Sequence, residues 1–326
     1  MIKSLLKVNT KAFLLTIALA IPLLSCSSEQ SSPEPSPTLS VPTVQSTVSA
    51  QPAQTQTPNV PSLPFDRYGE TLRNVIYCSP DNSPQTMDVY FPAAGGPWPV
   101  LVYVHGGAWM HGDKSEAGMF ARIMTARGYL VVSLNYRLYP AAKFPAMIQD
   151  VKCAIRSLRA NAAQYNLDPN RIGAVGVSAG GHLVGLLGTT DTSVGWDVGE
   201  YLDQSSRVQA VIAMAGVMDL SRKFPNADIE AMKRVGFGEY NVAEASPISH
   251  VTPDDPPFLL IHGDRDELVP VEQSQLMYER LVQQNVSAQL VVVQNASHSF
   301  TAAEGTTPTI VEINQIILEF LDRHLG

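Results

Sequence analysis

The chain has 326 residues, of which 45% are hydrophobic and 16% charged, and its 30 acidic against 22 basic side chains leave a net charge of −8. This is the balance of a folded protein with a core. The acidic excess excludes binding to nucleic acid or to an anionic lipid surface through a basic face.

Lys3, Lys7 and Lys11 precede an apolar run from Ala12 to Leu24. A charged stretch followed by an apolar segment too short to span a bilayer reads as a secretory signal over residues 1–25. The run ends in Leu23-Leu24-Ser25-Cys26, which resembles the bacterial lipobox cut by lipoprotein signal peptidase. That resemblance implies that Cys26 is the first mature residue and carries the lipid. The protein would then be held on a membrane of the cell envelope by acyl chains. Cleavage there removes three lysines and no acid, leaving 19 basic against 30 acidic side chains, a net −11. Residues 26–64 follow as a Ser, Pro, Thr and Gln-rich segment without an aromatic residue, Lys or Arg. Such a segment buries too little apolar area to offset its ordering entropy, so it reads as a disordered tether. The folded part, residues 65–326, has the length of a single α/β domain.

Along that part, Thr71–Tyr77 and Thr86–Phe91 read as strands around a turn rich in Pro, Asp and Asn. Apolar strands and amphipathic helices then alternate. The strand Val100–Val104 is followed by a helix over Lys114–Arg127, the strand Tyr129–Leu134 by a long helix over Ala146–Tyr165. In that long helix Ile148, Val151, Cys153, Ala154, Ile155 and Leu158 fall on one side. Next come the strand Ile172–Val177, a small-residue helix to Thr189, and strands Val208–Ala215, Phe258–Ile261 and Ala288–Val293. Helices Val271–Gln284 and Ile310–His324 complete the pattern. Alternation of this length predicts a doubly wound, mostly parallel sheet with helices on both faces. Asp191–Gln204 and Ser221–Glu244 lie between strands as material for at most a small cap. An exported chain permits Cys78 and Cys153 to pair, but two cysteines are few and Cys153 falls on the core face of a helix, so buried free thiols are the default reading.

Gly176-Val177-Ser178-Ala179-Gly180 falls at a strand-to-helix junction. A serine there has its Oγ pushed out at the end of the sheet, and the helix start behind it favours developing negative charge. Ligands of such sheets bind at the carboxyl ends of the strands. Serine needs a base, and sheets carrying a serine on this turn order their triads Ser, acid, His along the chain. Order removes His105 and His111. His182 lies on the serine's own helix, His262 ends a strand and suits a local hydrogen bond, and His324 lies in the last helix, expected exposed. His298 stands in a polar loop after Ala288–Val293, at the right edge and in the right order. The acid comes from the loop after Phe258–Ile261, which holds Asp264 and Asp266; Asp219 is the next choice. The oxyanion hole combines the N–H of Ala179 with donors of the loop His105-Gly106-Gly107-Ala108-Trp109, namely Gly107 with Gly106 or Ala108.

With these residues assembled, the chain resembles the α/β-hydrolases, and among them the HGG-motif esterases. That group includes hormone-sensitive-lipase-like enzymes, acetyl-xylan and feruloyl esterases, and kynurenine formamidase. Asn135-Tyr-Arg-Leu-Tyr-Pro140, Phe144-Pro-Ala146 with Asp150, Asp168-Pro-Asn-Arg171-Ile, Ser178-Ala-Gly-Gly-His182 and Ala245-Ser-Pro-Ile248 carry the likeness, from about Val75 onward. The resemblance places the acid at Asp266, three residues after Gly263, and implies a structural pairing of Arg137 with Asp150. Ala108-Trp109 replaces a third glycine and Val177 stands where Asp or Ser is common, which favours the polysaccharide-esterase and formamidase-like branch. The implied activity is ester hydrolysis through Ser178, His298 and Asp266, with no metal or organic cofactor. Trp109 is a candidate substrate contact. Short-chain or small aromatic acyl esters, acylated glycans among them, are the expected substrates. The alternatives are an amidase of the same fold and a catalytically idle binding lipoprotein.

Overall fold

The computed structural model describes residues 66–326 except 239 and 303; the signal, Cys26 and the tether lie outside the described residues. Two strands, β1 (Thr71–Cys78) and β2 (Gln85–Tyr90), form an antiparallel start. Six parallel strands follow, namely β3 (Trp98–Val104), β4 (Leu130–Leu134), β5 (Leu167–Val177), β6 (Ala210–Met214), β7 (Phe258–Gly263) and β8 (Ala288–Val293). They join in one sheet of order β1-β2-β4-β3-β5-β6-β7-β8, with β2 antiparallel to β4. The central strands are apolar on both faces, as a sheet covered on both sides requires.

The two faces take alternate residues of each strand. Leu101, Tyr103, Val175, Ile212, Leu259 and Ile261 pack against α1 (Gly118–Thr125) and α6 (Ile310–Leu325). On the opposite face lie α2 (Ala146–Ala160), α3 (Ala179–Thr189) and α5 (Glu272–Gln283). A further helix, α4 (Ala227–Phe237), forms inside the polar segment read as cap material and is capped by Asn226. This is the α/β-hydrolase architecture.

Several boundaries differ from expectation for local reasons. Lys114–Ala117 is a 3₁₀ turn instead of the first turn of α1, because Asp113 and Glu116 close a capping box before Gly118. The long helix ends at Ala160, where the Asn161 side chain donates back to the Ser157 carbonyl and the chain turns toward Leu167 to pair with Trp98. His324, expected exposed, is half-buried with its ring 4.8 Å from that of Phe320.

The cysteine reading is corrected. Cys78 and Cys153 form a disulfide with Cα atoms 6.4 Å apart. The side of α2 that buries Cys153 is the side that meets β1, which brings the two sulfurs together. The same helix buries Lys152 and Arg156, which both pair with Asp197 at 2.9 and 2.6 Å and pin the segment after Thr190. Arg137 and Asp150 pair at 2.8 Å, as the resemblance implied. With its ends 75 positions apart in sequence, the disulfide restricts the unfolded chain by about 4 kcal/mol on the loop-entropy account. Replacing both cysteines by serine should lower the unfolding free energy by roughly 2–4 kcal/mol in a denaturant titration.

Candidate active site

Register brings the carboxyl ends of the middle strands level. Val104 lies opposite Gly176 and Val177 opposite Met214, so the turns after β3, β5 and β6 meet at one edge. Ser178 follows β5 with φ 57° and ψ −118°, a conformation that L side chains rarely adopt and that costs of the order of 1–3 kcal/mol. It is held by its own N–H donating to the Met214 carbonyl (2.8 Å), and its carbonyl accepts from His182 N (3.0 Å). The motif's glycines are steric requirements. A Cβ on Gly176 would strike the Gly180 carbonyl, and one on Gly180 would strike the carbonyl oxygen of Val104.

The loop after β3 lies against this turn. A Cβ on Gly106 would stand 3.0 Å from the Val177 carbonyl and 3.3 Å from Ser178 Cβ. Ala108 and Trp109 both have positive φ, 51° and 60°, which turns the loop sharply beside the serine. Among the described residues the N–H groups of Gly107, Ala108 and Ala179 donate to no protein acceptor. Ala179 opens α3, where an amide has no partner within the helix.

Trp109, the candidate substrate contact, is buried away from solvent. Its ring is 2% exposed, its Nε1 donates to His182 Nδ1 (3.2 Å), and it stands edge-on to Phe237 of α4 at 5.0 Å. His182 Nε2 in turn donates to the Ala245 carbonyl (2.7 Å). Since Nδ1 accepts from an indole and Nε2 faces a carbonyl, the ring is the neutral Nε2–H tautomer. Burial pushes it down to about 4. The serine's helix, the loop after β3 and the cap are thus joined through one imidazole. Reading the loop alone could not place Trp109, because its direction is set by a partner 73 positions away.

Asp266 lies in the turn after β7 and His298 in the loop after β8. His298 Nδ1 is 2.6 Å from Asp266 Oδ2. The Asp266 side chain is fully buried and His298 is 12% exposed. Asp266 Oδ1 accepts from the backbone N–H of Leu268 and Val269 at 2.9 and 2.8 Å. Burial alone would raise the carboxyl, but hydrogen bonds from His262 and His298, the charge on His298 and the Val269 N–H outweigh it and hold the acid well below its ordinary range. An ionised Asp266 only accepts, so His298 carries its proton on Nδ1 when neutral and offers Nε2 as a base. Gly263 permits the two loops to touch, since a Cβ there would meet the Ala296 carbonyl, which accepts from Arg265 N at 3.0 Å.

The other acids are elsewhere. Asp264 is exposed, and Asp219 accepts from Ser221 N in a local turn and pairs with Arg222. Ser178, Asp266 and His298 therefore follow β5, β7 and β8 at one edge. Among the described residues no hydrogen bond joins Ser178 Oγ to His298 Nε2. Sequence reasoning took His262 as a local hydrogen-bonding group and missed that its Nε2 also lies 3.2 Å from Asp266 Oδ2.

An eight-stranded sheet of this order with a serine on a strained turn after β5 defines an α/β-hydrolase. The BD-FAE family profile matches residues 87–281, and the chain belongs to that family of α/β-hydrolase esterases. Its relatives are carboxylic ester hydrolases, and so is this protein. It is 36% identical over 282 residues to esterase LipC of Mycobacterium tuberculosis, covering 79% of this chain and 67% of LipC. It spans less than two thirds of two other mycobacterial relatives, 57% of LipM and 61% of LipQ. Among solved structures, a truncated carbohydrate esterase from gut microbiota shares 32% identity at a TM-score of 0.63, covering 72% of this chain and 90% of the other. Butyrate-bound esterase 2 of Thermogutta terrifontis shares 27% identity at 0.66, covering 77% and 93%. The same Thermogutta enzyme has been captured phosphonylated by sarin.

His105, also buried, is pushed down to about 4 by burial, as His182 is. Both rings stay neutral in the folded protein and take up protons in the unfolded chain below about pH 6.5. The unfolded state then binds more protons, so stability should fall between pH 6.5 and pH 4, by something of the order of 3 kcal/mol per ring. Thermal midpoints measured across that range should drop, and the drop should be shallower in His182→Gln.

Proposed function

We propose that this esterase works by acyl transfer through Ser178, with His298 as base and Asp266 as its orienting acid. The observation that carries the reading is the 2.6 Å Asp266–His298 contact at the sheet edge that also holds the strained Ser178 turn. His298 Nε2 takes the hydroxyl proton as Ser178 Oγ attacks the ester carbonyl. Asp266 stabilises the imidazolium without taking the proton. The N–H groups of Ala179 and Gly107, with Gly106 or Ala108, face the developing oxyanion, each such donor being worth ~3 kcal/mol. His298 then protonates the leaving alcohol, and water repeats the sequence on the acyl-enzyme.

The substrates proposed are esters of short or small aromatic acyl groups, acylated glycans among them. α4 is a single short helix, too small for a large lid, which favours small acyl groups. The butyrate-bound and carbohydrate-esterase relatives support the same range. A fluorophosphonate should label the protein at Ser178. Ser178→Ala and His298→Ala should each lower kcat on 4-nitrophenyl acetate by at least ~10³-fold in folded protein. Asp266→Asn should cost far more than Asp264→Asn, and turnover should be highest for acetyl to butyryl esters within a chain-length series. Failure to label with intact folding would refute the mechanism.

The location proposed is the cell envelope, with the catalytic domain on a lipidated Cys26 and the tether. Disulfides persist in oxidising compartments, so the Cys78–Cys153 bond supports export. Radiolabelled palmitate should enter the wild-type protein and not Cys26→Ser.

A further inference from the structure

Three donors hydrogen-bond the Asp266 carboxylate, and a fourth N–H group, which an Asp–His pair does not require, lies at ion-pair distance from it. Oδ1 accepts two backbone N–H groups, from Leu268 and Val269. Oδ2 faces His298 Nδ1 at 2.6 Å and, at 3.2 Å, Nε2 of His262, the penultimate residue of β7. His262 is fully buried. Strand alternation puts Leu259 and Ile261 on the α1/α6 face and His262 on the other, against α5. There its Nδ1 lies 2.7 Å from Ser274 Oγ, and Nε2 is 2.9 Å from the Val269 carbonyl. A carbonyl and a carboxylate only accept, so Nε2 carries a proton in either charge state of the ring.

We infer that His262 is a positioning residue for the reaction, a second imidazole donor that fixes Oδ2 of Asp266 toward His298 and shares its negative charge. The inference rests on the assignment of Asp266 and His298 as acid and base. Two consequences follow. The carboxylate cannot rotate about its Cβ–Cγ bond without breaking a bond to a buried donor, which keeps Oδ2 directed at His298 Nδ1. The carboxylate charge is also divided between two N–H donors. With His262 gone, His298 receives the larger share, and its imidazolium becomes more stable. Ser274 of α5, the Val269 carbonyl and Asp266 are the polar groups against the ring, with His298 across Asp266. Among the described residues in hydrogen-bond or ion-pair reach, Asp266 and His298 are thus the titratable ones.

The test is the pH dependence of kcat/KM for a 4-nitrophenyl ester in the whole protein, wild type against His262→Leu and His262→Gln. The leucine variant should lower kcat by roughly tenfold to a hundredfold with KM little changed, well short of the ~10⁴-fold cost of disabling a triad aspartate. Its acidic limb should move up by roughly half a pH unit to one unit. Glutamine, whose amide reaches the position of Nε2, should restore both the limb and most of kcat. Should the leucine variant fail to fold, His262→Asn takes its place, since its shorter amide stops short of Asp266. An acidic limb that stays at the wild-type pH while glutamine and leucine lose activity equally would overturn the inference, because a packing role alone predicts that result. Wild-type protein that fails to label at Ser178, or His298→Ala that keeps turnover, would overturn the triad assignment itself and the inference with it.

Discussion

A carboxylate buried without solvent must be matched on the lone pairs it presents, and much of the carboxyl edge of the sheet is arranged around that requirement at Asp266. Two backbone amides of its own turn, the ring of His262 and the ring of His298 meet it together. Removing any one would leave a charged group under-solvated, which costs more than a neutral hydrogen bond gains. The turn after β7, the contact with α5 through Ser274 and the path of the loop after β8 are consequently linked. The same requirement keeps the acid ionised, and an ionised acid is what sets the His298 tautomer.

The serine turn solves a different problem. Its backbone sits in an unfavourable region, and the cost is offset by a hydrogen bond to Met214, by the start of α3 and by close packing against the end of β3. That packing is possible only because the motif's outer positions lack a Cβ. The loop after β3 has its own support in the Trp109–His182–Ala245 chain of hydrogen bonds, which ties it to the serine's helix and to the segment that follows α4. A neutral, buried His182 is well suited to this task, since both ring nitrogens are committed and neither is available to the reaction.

Away from the edge, α2 acts as the fastening of the domain. It carries the disulfide to β1 and the Lys152–Arg156–Asp197 cluster to the segment after α3. Arg137 meets Asp150 on the same helix, next to the loop that follows β4. Buried ion pairs of this kind add little net stability but strongly resist loss of one partner, so they hold their segments in one arrangement. The aromatic residues Phe144, Trp196, Phe237 and Tyr240 close the space between these fastenings and the cap.

Strand and helix periodicity, the Gly-x-Ser-x-Gly junction and the order in which Ser178, Asp266 and His298 follow successive strands were readable from the sequence. Each is a local pattern: alternation gives the sheet, small residues mark the turn, and a polar loop after a strand marks the base. The choice of Asp266 over Asp264 came from resemblance, and the structure sets it apart by burial against exposure. The disulfide, the buried orientation of Trp109, the helix within the cap and the approach of His262 to Asp266 were not readable. The disulfide and the Trp109–His182 bond depend on which element lies across from which, over separations of 75 and 73 residues, whereas His262 and Asp266 are only four apart and meet because of how the turn after β7 folds back. A sequence states which groups must find partners when buried; only the packed sheet decides which partners lie within reach.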